Sequence, residues 1–437
     1  MRICIVNAIA PPASGSRSER TLHLSRALAR AGHAPTVVGA ELPPGFTPMD
    51  PATDGLMGAA GVETIRLPAG WPARSKYGVG ARARLGGAVA EFVWPDRWAG
   101  FGLRAGRWLA RSAHRFDLVI SSAFPWSDLL PGFTLGHEGA RWVVDYGDPW
   151  SLANVRGKWT RTPEYRLERA ILRACDGAVV TTEPTRELFT RHFDLDKDRV
   201  LVLSAGVEPT PLAPPASTAP LTLLHAGAVY GPRLSPLPFL EALDAWRVRS
   251  GRKVRLVWCG PIDDSAVLAA VRDHADEYRP YASQAELGEL EAESHAALAF
   301  GNYGGQQIPA KVWRALGRNR PQLIVVETEH DPICQLPELR SSAVFACCGT
   351  EACIDGLDRL ARLVTDWDYS PGRLVPEAAS LTWDAKAERL MEFVRALPPP
   401  RGDRGRRWPA ALPAAALVTA CTVLGLRPAT RLIVGNY

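Results

Sequence analysis

The sequence has 437 residues, a formal net charge of +5, 46% hydrophobic residues and 22% charged residues. This length predicts two domains, and the composition is that of a globular protein. The small basic excess is carried mostly by arginine and forms no dense stripe with interleaved aromatic residues. It therefore argues against a nucleic acid as a partner.

The eight cysteines are scattered along the chain and lack the spacing of zinc ligands, so we predict no metal site. The amino terminus reads as a strand and lacks the features of a signal peptide. No stretch forms a confident membrane span of about 20 apolar residues. These features predict a cytoplasmic protein with reduced thiols.

The first half begins as a βαβ unit. Residues Arg2 to Ala8 form an apolar run typical of a parallel strand buried on both faces. Apolar residues then recur at helical spacing until Gly32, and a second strand begins at Thr36. The region from Asp50 to Arg115 is less regular. Beyond it, the pattern predicts strands at 117–121, 141–145, 177–181 and 200–203 and a helix at 164–174.

The second half repeats the α/β alternation after a proline-rich segment. Thr210 to Pro220 has no periodic pattern and is predicted to be a linker. The pattern then predicts strands at 221–225, 254–259, 296–300, 322–326 and 343–347 and helices at 237–249, 265–277, from 309, 353–365 and 383–397. Two such halves predict an α/β protein with two Rossmann-like domains facing a ligand-binding cleft.

The strongest candidate site is the segment from Gly304 to Trp313, where a glycine-containing loop leaves a strand and enters a helix. We expect the helix to begin at Pro309, a favoured first position. Free N–H groups and the helix dipole favour an anion there, and Lys311 in the first turn could reach a diphosphate. The alternative is an ordinary capped helix with a solvated lysine.

A second glycine loop, Ala226-Gly-Ala-Val-Tyr-Gly-Pro-Arg233, directly follows the strand 221–225. Arg233 is placed to pair with a phosphate through two hydrogen bonds, and the alternative is a plain turn. His225, at the end of that strand, is interpreted as a buried strand residue rather than a catalyst.

A third candidate is Asp145-Tyr-Gly-Asp-Pro-Trp-Ser151, at the end of a strand in the first domain. Two carboxylates beside a glycine suit an acceptor site or general acid–base catalysis, and the alternative is a polar turn. The first βα loop, which contains Gly15 and Ser16, lacks the G-x-G-x-x-G spacing. Its absence counts against a nicotinamide or flavin, and we predict no cofactor.

The order of these segments resembles bacterial family 4 glycosyltransferases of the branch that includes polysaccharide and lipid-linked sugar transferases. That family carries DxRDPW in its first domain and G-x-Y-x-x-R and IP-x-K-[LVF]-[FWY]-E in its second. The chain offers Asp145-Tyr-Gly-Asp-Pro-Trp150, Gly227-Ala-Val-Tyr-Gly-Pro-Arg233 and Ile308-Pro-Ala-Lys-Val-Trp313. Trp94-Pro-Asp-Arg-Trp98, Ser204-Ala-Gly-Val-Glu208 and the segment from Leu381 to Leu397 are similar to three further family segments. The resemblance spans roughly residues 1–397.

The resemblance implies a GT-B fold and sugar transfer from a nucleotide-sugar donor with retention of configuration and no required metal. It implies an N-terminal acceptor domain (1–209), a linker (210–220), a C-terminal donor domain (221–381), a closing helix (382–397) and a tail (398–437). Its catalytic residues would be Asp148, Arg233 and Lys311. The donor site would comprise Gly227, Tyr230, Arg233, Gln306, Ile308, Lys311 and Arg314, and the acceptor side Gly15, Ser16, Asp145 and Asp148.

One departure from the family pattern leaves other functions open. The family commonly has two glutamates separated by seven residues, and the second binds the ribose. Gln306 and Arg314 stand at these places, and a cation cannot accept hydrogen bonds from ribose hydroxyls. The alternatives are a nucleotide-sugar 2-epimerase of the same fold and a degenerate, non-catalytic partner subunit.

Two segments suggest an acceptor presented at a membrane, which would be lipid-linked, with the protein peripheral at the inner face. The segment from Phe92 to Phe116 combines tryptophans with five arginines, and a basic stretch precedes the apolar run from Pro409 to Leu426. Aromatic residues and arginines suit an interface with anionic headgroups. The alternative is that the tryptophans pack in the core.

Overall fold

The computed structural model describes residues 1–400 except 43–44, 47–48, 71–72, 74–92, 113–114, 136–139, 154–162, 211, 217–219, 230–233, 306, 371–372, 374–375 and the side chain of 377. The chain divides into two compact units. Unit 1 comprises Met1–Ser204 and the chain from Trp383 onward, and unit 2 comprises Ala205–Thr382.

Unit 1 is built on a parallel sheet in the order β3-β2-β1-β4-β5-β6-β7. Its strands are β1 Arg2–Val6, β2 Ala34–Glu41, β3 Glu63–Pro68, β4 Leu118–Ala123, β5 Arg141–Tyr146, β6 Gly177–Val180 and β7 Val200–Val202. Its helices are α1 Ser16–Arg30, α2 Ala52–Ala59, α3 Ala99–Ser112, α4 Pro163–Ala174 and α5 Glu183–Phe193, with 3-10 turns at Trp126–Thr134 and Lys197–Arg199. The central strands are almost wholly buried, which explains their continuous apolar sequences.

Unit 2 repeats the plan with a parallel sheet in the order β10-β9-β8-β11-β12-β13. The strands are β8 Leu221–Ala226, β9 Val254–Cys259, β10 Glu277–Arg279, β11 Ala296–Phe300, β12 Gln322–Val326 and β13 Ala343–Cys347. The helices are α6 Leu237–Ser250, α7 Ser265–His274, α8 Gln284–Glu293, α9 Ala310–Gly317 and α10 Thr350–Asp366, with 3-10 turns at Pro332–Gln335, Pro337–Leu339 and Pro376–Leu381. The predicted α/β class is confirmed in both units.

The last described helix, α11 Trp383–Ala396, returns the chain to unit 1. The Trp383 ring stacks on His23 of α1 with centroids 5.5 Å apart. Lys386 donates to the hydroxyl of Ser204 at 2.9 Å. Helix α11 is therefore part of the first folding unit. The boundaries of the two domains, the linker, the closing helix and the tail stay a prediction from the sequence.

Several elements differ from the sequence prediction. The helix predicted for 265–277 ends at His274 because Ala275 is extended and Asp276 N–H bonds to Leu256 in β9, and the chain then forms β10. Elements that the prediction did not include are α2, β3, α3, α5, β10 and α8. Edge strand β3 has mostly exposed or half-buried residues, so it lacked the apolar signal of a buried strand.

A buried acid lies beneath the first βα loop of unit 1. Asp128 is 0% exposed; one carboxyl oxygen accepts the N–H of Ala8 at 2.7 Å, and the other has no partner in the described structure. Burial raises the pKa of Asp128 well above its ordinary value; the Ala8 N–H opposes this, and nearby Asp96 adds to it. The folded protein therefore holds this proton more tightly than the unfolded chain.

We predict that Asp128→Asn stabilises the protein as pH rises. Stability from the raised pKa is complete below the ordinary aspartate pKa and is lost as pH rises toward the folded pKa, whereas asparagine copies the protonated acid at every pH. The advantage of the variant should grow by up to about 1.4 kcal/mol per pH unit in that window. Denaturant unfolding from about pH 4 to about pH 8 measures this. Exposed Asp198→Asn is the control, and an advantage independent of pH would contradict the prediction.

Candidate functional site

Hydrogen bonds hold the loop between β11 and α9 in place. Asn302 donates to the backbone carbonyl of Gln307 at 3.4 Å, and the N–H of Gly304 donates to Glu327 at 2.7 Å. Pro309 is extended, with ψ at 129°, so α9 begins at Ala310 rather than at Pro309 as predicted. The anchored loop fixes the start of the helix, and Lys311 lies in the first turn.

Lys311 reaches back to the end of β8. Its Nζ lies 3.1 Å from Nε2 of His225. Gly227 has a positive φ of 147°, and a Cβ atom there would lie 2.7 Å from Nζ. Only glycine therefore leaves room for the ammonium at this strand end. The backbone of Gly227 is fixed in turn, since its N–H donates to Cys259 in β9 at 2.7 Å.

The other predicted donor residues are placed unevenly. Tyr230, Arg233 and Gln306 lie outside the described residues. Ile308 is half-buried and packs against the apolar cluster around α9 that contains Val312. The structure therefore brings Lys311 and Gly227 together and places Ile308 as a packing residue beside them.

At the end of β5 in unit 1, the two predicted carboxylates differ in environment. Asp145 is 4% exposed, and its two oxygens accept from Arg20 at 2.7 and 2.8 Å. Burial would raise the pKa of Asp145, but Arg20 and the nearby Arg17 outweigh it and hold the pKa below its usual range. Asp148 is exposed. Asp145 thus anchors the strand end, and Asp148 is the accessible carboxylate of the pair.

The first βα loop brings a further cation to the same strand end. Gly15 precedes α1 with a φ of 138°, and Ser16 begins the helix. Asn7 at the end of β1 donates to the backbone carbonyl of Arg17 at 3.3 Å and to the hydroxyl of Thr21 at 2.7 Å. The first turn of α1 is therefore tied to the sheet, which fixes the position of Arg17.

Arg17 is the site residue that sequence reasoning missed. Its guanidinium lies against Gly147, where an added Cβ atom would come within 1.9 Å of Nη2. Burial lowers the pKa of Arg17, while Asp145 and Asp148 act in the opposite direction. Gly147 stands where the DxRDPW pattern has arginine, so a guanidinium from α1 fills the space that an arginine side chain at 147 would enter. A glycine at the arginine position of the pattern was the signal in the sequence that could have pointed to Arg17.

A comparison with family models identifies this unit. The model of the glycosyl transferase 4-like domain matches residues 18–206. Over these residues the chain is similar to that domain. The predicted resemblance to family 4 glycosyltransferases is thereby confirmed for unit 1, whose strand ends carry Arg17 and Asp148.

Solved structures of low sequence identity share the fold of both units. Sucrose-phosphate synthase from Thermosynechococcus elongatus is 16% identical, with a TM-score of 0.60, and the match covers 90% of this chain and 98% of that one. A lipopolysaccharide outer core galactosyltransferase is 11% identical, with a TM-score of 0.52 and coverage of 91% and 99%. A UDP-GlcNAc 2-epimerase from Neisseria meningitidis, solved with UDP-GlcNAc, is 10% identical, with a TM-score of 0.51 and coverage of 90% and 100%. No curated protein matches the sequence.

The GT-B fold is thus shown, and the transferase domain and the fold together support a transferase. Within the described residues, no group of three or more histidine, cysteine or acidic side chains could hold a metal ion. Nor does the described part of the chain contain a helix long and apolar enough to cross a membrane.

Arg314, the departure from the family pattern, is engaged within unit 2. Its guanidinium pairs with Glu291 of α8 and donates to Gln284 at 2.9 Å. Glu291 is 6% exposed and also accepts from Arg318 at 2.9 Å. One carboxylate therefore holds two arginines of α9 and its carboxyl-terminal turn. This network accounts structurally for a cation at position 314.

We predict that Arg314→Glu destabilises unit 2 and that Arg314→Lys has a smaller effect. The glutamate would face the nearly buried Glu291, and the remaining Arg318 only partly compensates, so the cost should be about 3 kcal/mol. Denaturant unfolding gives the stability, and binding of UDP, GDP and dTDP is measured on the folded variant. A change in nucleotide affinity without loss of stability would instead place Arg314 at the ligand.

Proposed function

We propose that the protein transfers a sugar from a nucleotide-sugar donor to an acceptor with retention of configuration. The single observation that carries this proposal is the placement of Lys311 over Gly227, where the end of β8 meets the first turn of α9. An ammonium held above backbone that lacks a side chain suits a diphosphate, which needs both charge and close approach.

In the proposed reaction, the bond between the anomeric carbon and the diphosphate breaks, and the acceptor oxygen bonds to that carbon on the face that the diphosphate leaves, so that the configuration is retained. Negative charge grows on the departing diphosphate, and Lys311 and Arg233 stabilise it by donating hydrogen bonds. Such donors act on the developing charge and therefore lower the barrier rather than merely tighten binding. The exposed carboxylate of Asp148 takes the proton of the acceptor hydroxyl.

Arg17 would position Asp148 for this step. The guanidinium interacts electrostatically with both Asp145 and Asp148, and the Arg20 pair already holds Asp145 in place. A cation that interacts with Asp148 would orient its carboxylate. Gly15 and Ser16, at the start of the same helix, would line the acceptor side.

Support for a nucleotide-sugar partner comes from the shared fold, since one similar structure was solved with UDP-GlcNAc. That protein is a 2-epimerase, so epimerisation is the second candidate. An epimerase alters the free nucleotide sugar without an acceptor. A non-catalytic subunit would be stabilised by no nucleotide. Thermal shift with UDP, GDP, dTDP and their sugars, followed by product analysis with and without acceptor, separates the three.

We predict that Lys311→Ala and Arg233→Ala each lower transfer about a hundredfold or more while leaving the fold intact. Losing one donor to the leaving group costs about 3 kcal/mol of transition-state stabilisation. Exposed Lys253→Ala is the matched control. Turnover close to that of the control in both variants would remove the assignment.

We also propose that the acceptor lies at an anionic membrane surface on the cytoplasmic side. The aromatic part of the sequence argument is wrong for Trp98 and Phe101, which are 3% and 0% exposed in the core. The arginines support the proposal better, since α3 contains no acidic residue and exposes Arg104, Arg107 and Arg111. Leu103, 47% exposed, lies beside them. The basic and apolar tail, 401–437, lies outside the described residues.

Changing Arg104, Arg107 and Arg111 together to glutamate should abolish co-sedimentation with vesicles that contain anionic lipid. Each basic side chain near such a surface contributes about 1 kcal/mol, and added salt screens the attraction. Helix α4 offers a control with the same spacing, since Arg166, Arg169 and Arg173 are also exposed. Wild-type protein that stays in the supernatant at low salt, or equal loss in both triple variants, would contradict the surface assigned to α3.

A further inference from the structure

His225 has two polar contacts that together fix its protonation. Its Nδ1 lies 3.1 Å from the backbone carbonyl of Leu298 in β11, and its Nε2 lies 3.1 Å from Nζ of Lys311. A carbonyl only accepts and an ammonium only donates, so Nδ1 must carry the proton and Nε2 must present its lone pair. Both partners thus require the same neutral tautomer.

The ring that presents this lone pair is fixed by its surroundings. His225 is 0% exposed. It stacks on Trp258 of β9 with centroids 4.1 Å apart and an interplanar angle of 28°, and Phe300 of β11 lies at 5.4 Å. Neighbouring strands on both sides therefore hold the imidazole, and its bond to Leu298 sets which nitrogen faces Lys311.

The chemistry of this acceptor suits a lysine that must keep its charge. A carboxylate partner would orient the ammonium but would also cancel much of its field. A neutral imidazole accepts one hydrogen of the amine and, unlike a carboxylate, adds no negative charge that would cancel the positive charge of the lysine. Two residues further along the chain, just past the end of β8, Gly227 leaves the space into which Nζ extends.

We propose that His225 is a positioning residue that holds the Lys311 ammonium, through neutral Nε2, for the diphosphate of the donor. This inference rests on the proposed function, because it assigns the reason for the orientation of Lys311. The end of one strand then supplies both the direction of the amine, from His225, and its space, from Gly227.

The first test is independent of any ligand. In protein labelled with ¹⁵N-histidine, the resonances lost in His225→Phe identify His225. We expect a protonated Nδ1 and an unprotonated Nε2 whose shift moves in Lys311→Ala. A protonated Nε2, an imidazolium at neutral pH, or no response to Lys311→Ala would overturn the proposed contact whatever the protein transfers.

The second test is a double-mutant cycle on binding of UDP, GDP and dTDP by calorimetry, with the best-bound nucleotide used throughout. His225→Phe keeps an aromatic ring between Trp258 and Phe300 but removes the acceptor, and should weaken binding about tenfold. His225→Gln, which restores an acceptor near the Nε2 position, should recover part of that loss. In a Lys311→Ala background, His225→Phe should change affinity less than about twofold.

The outcomes separate this inference from the proposed function. If Lys311→Ala weakens binding but His225→Phe is fully additive with it, His225 acts only on the fold and the positioning role is wrong. If Lys311→Ala itself leaves binding and transfer unchanged, the function of Lys311 fails and the inference fails with it. Thermal unfolding of every variant shows whether a loss of binding reflects a loss of structure.

Discussion

In the described residues both sheets are wholly parallel and their central strands are almost fully buried, and this constraint governs where the protein can carry polar chemistry. A central strand with helices on both faces has no room for an unpaired charge. The groups that could serve a reaction therefore emerge where strands end, at Gly147 and Asp148 after β5 and at Gly227 after β8. A buried exception such as His225 is tolerated because both of its nitrogens are hydrogen-bonded.

The cations of the two units differ in the charge of the groups that they contact. Arg20 is neutralised by the bidentate Asp145 and ties β5 to the carbonyls of Leu203 and Ser204. Arg314 and Arg318 share the carboxylate of Glu291. Lys311, by contrast, contacts a neutral imidazole. Arginines paired with carboxylates thus build the framework, whereas the imidazole that contacts Lys311 adds no opposing charge.

The sequence was informative where a signal was local. Continuous apolar runs predicted the central strands of both sheets, because a strand that is buried on both faces has apolar residues at successive positions. The same reasoning missed α3 and α8, in which glycines or acidic residues obscure the apolar stripe, and edge strand β3, which is partly exposed. The start of α9 was misplaced by one residue because a proline fits both the cap position and the first turn.

At the candidate site, the sequence predicted the loops but not the partners across them. Glycine positions pointed to the ends of β5 and β8, since a glycine leaves room for the side chain of another residue. What fills that room comes from far along the chain: Arg17 against Gly147, and Lys311 against Gly227. Pairs of this kind depend on the order of strands in a sheet, so no local pattern contains them. The tautomer of His225 likewise follows only once Leu298 is known to lie across the sheet.

The departures from the family pattern at positions 147 and 314 have the same physical form. At position 147 a side chain is lost, and the guanidinium of Arg17 enters the vacated space from α1. At position 314 a cation replaces a carboxylate, and Glu291 of α8 supplies a carboxylate beside it. In each case a residue on a neighbouring helix compensates for the substitution, and the local charges stay paired. A group that the sequence pattern indicates is missing can thus be supplied, in the folded protein, by a residue elsewhere in the chain. Glu291 is nearly buried between two arginines, so its lone pairs are already engaged, and the compensation at 314 secures the fold of α9. Arg17, by contrast, is only partly buried and interacts electrostatically with the exposed Asp148.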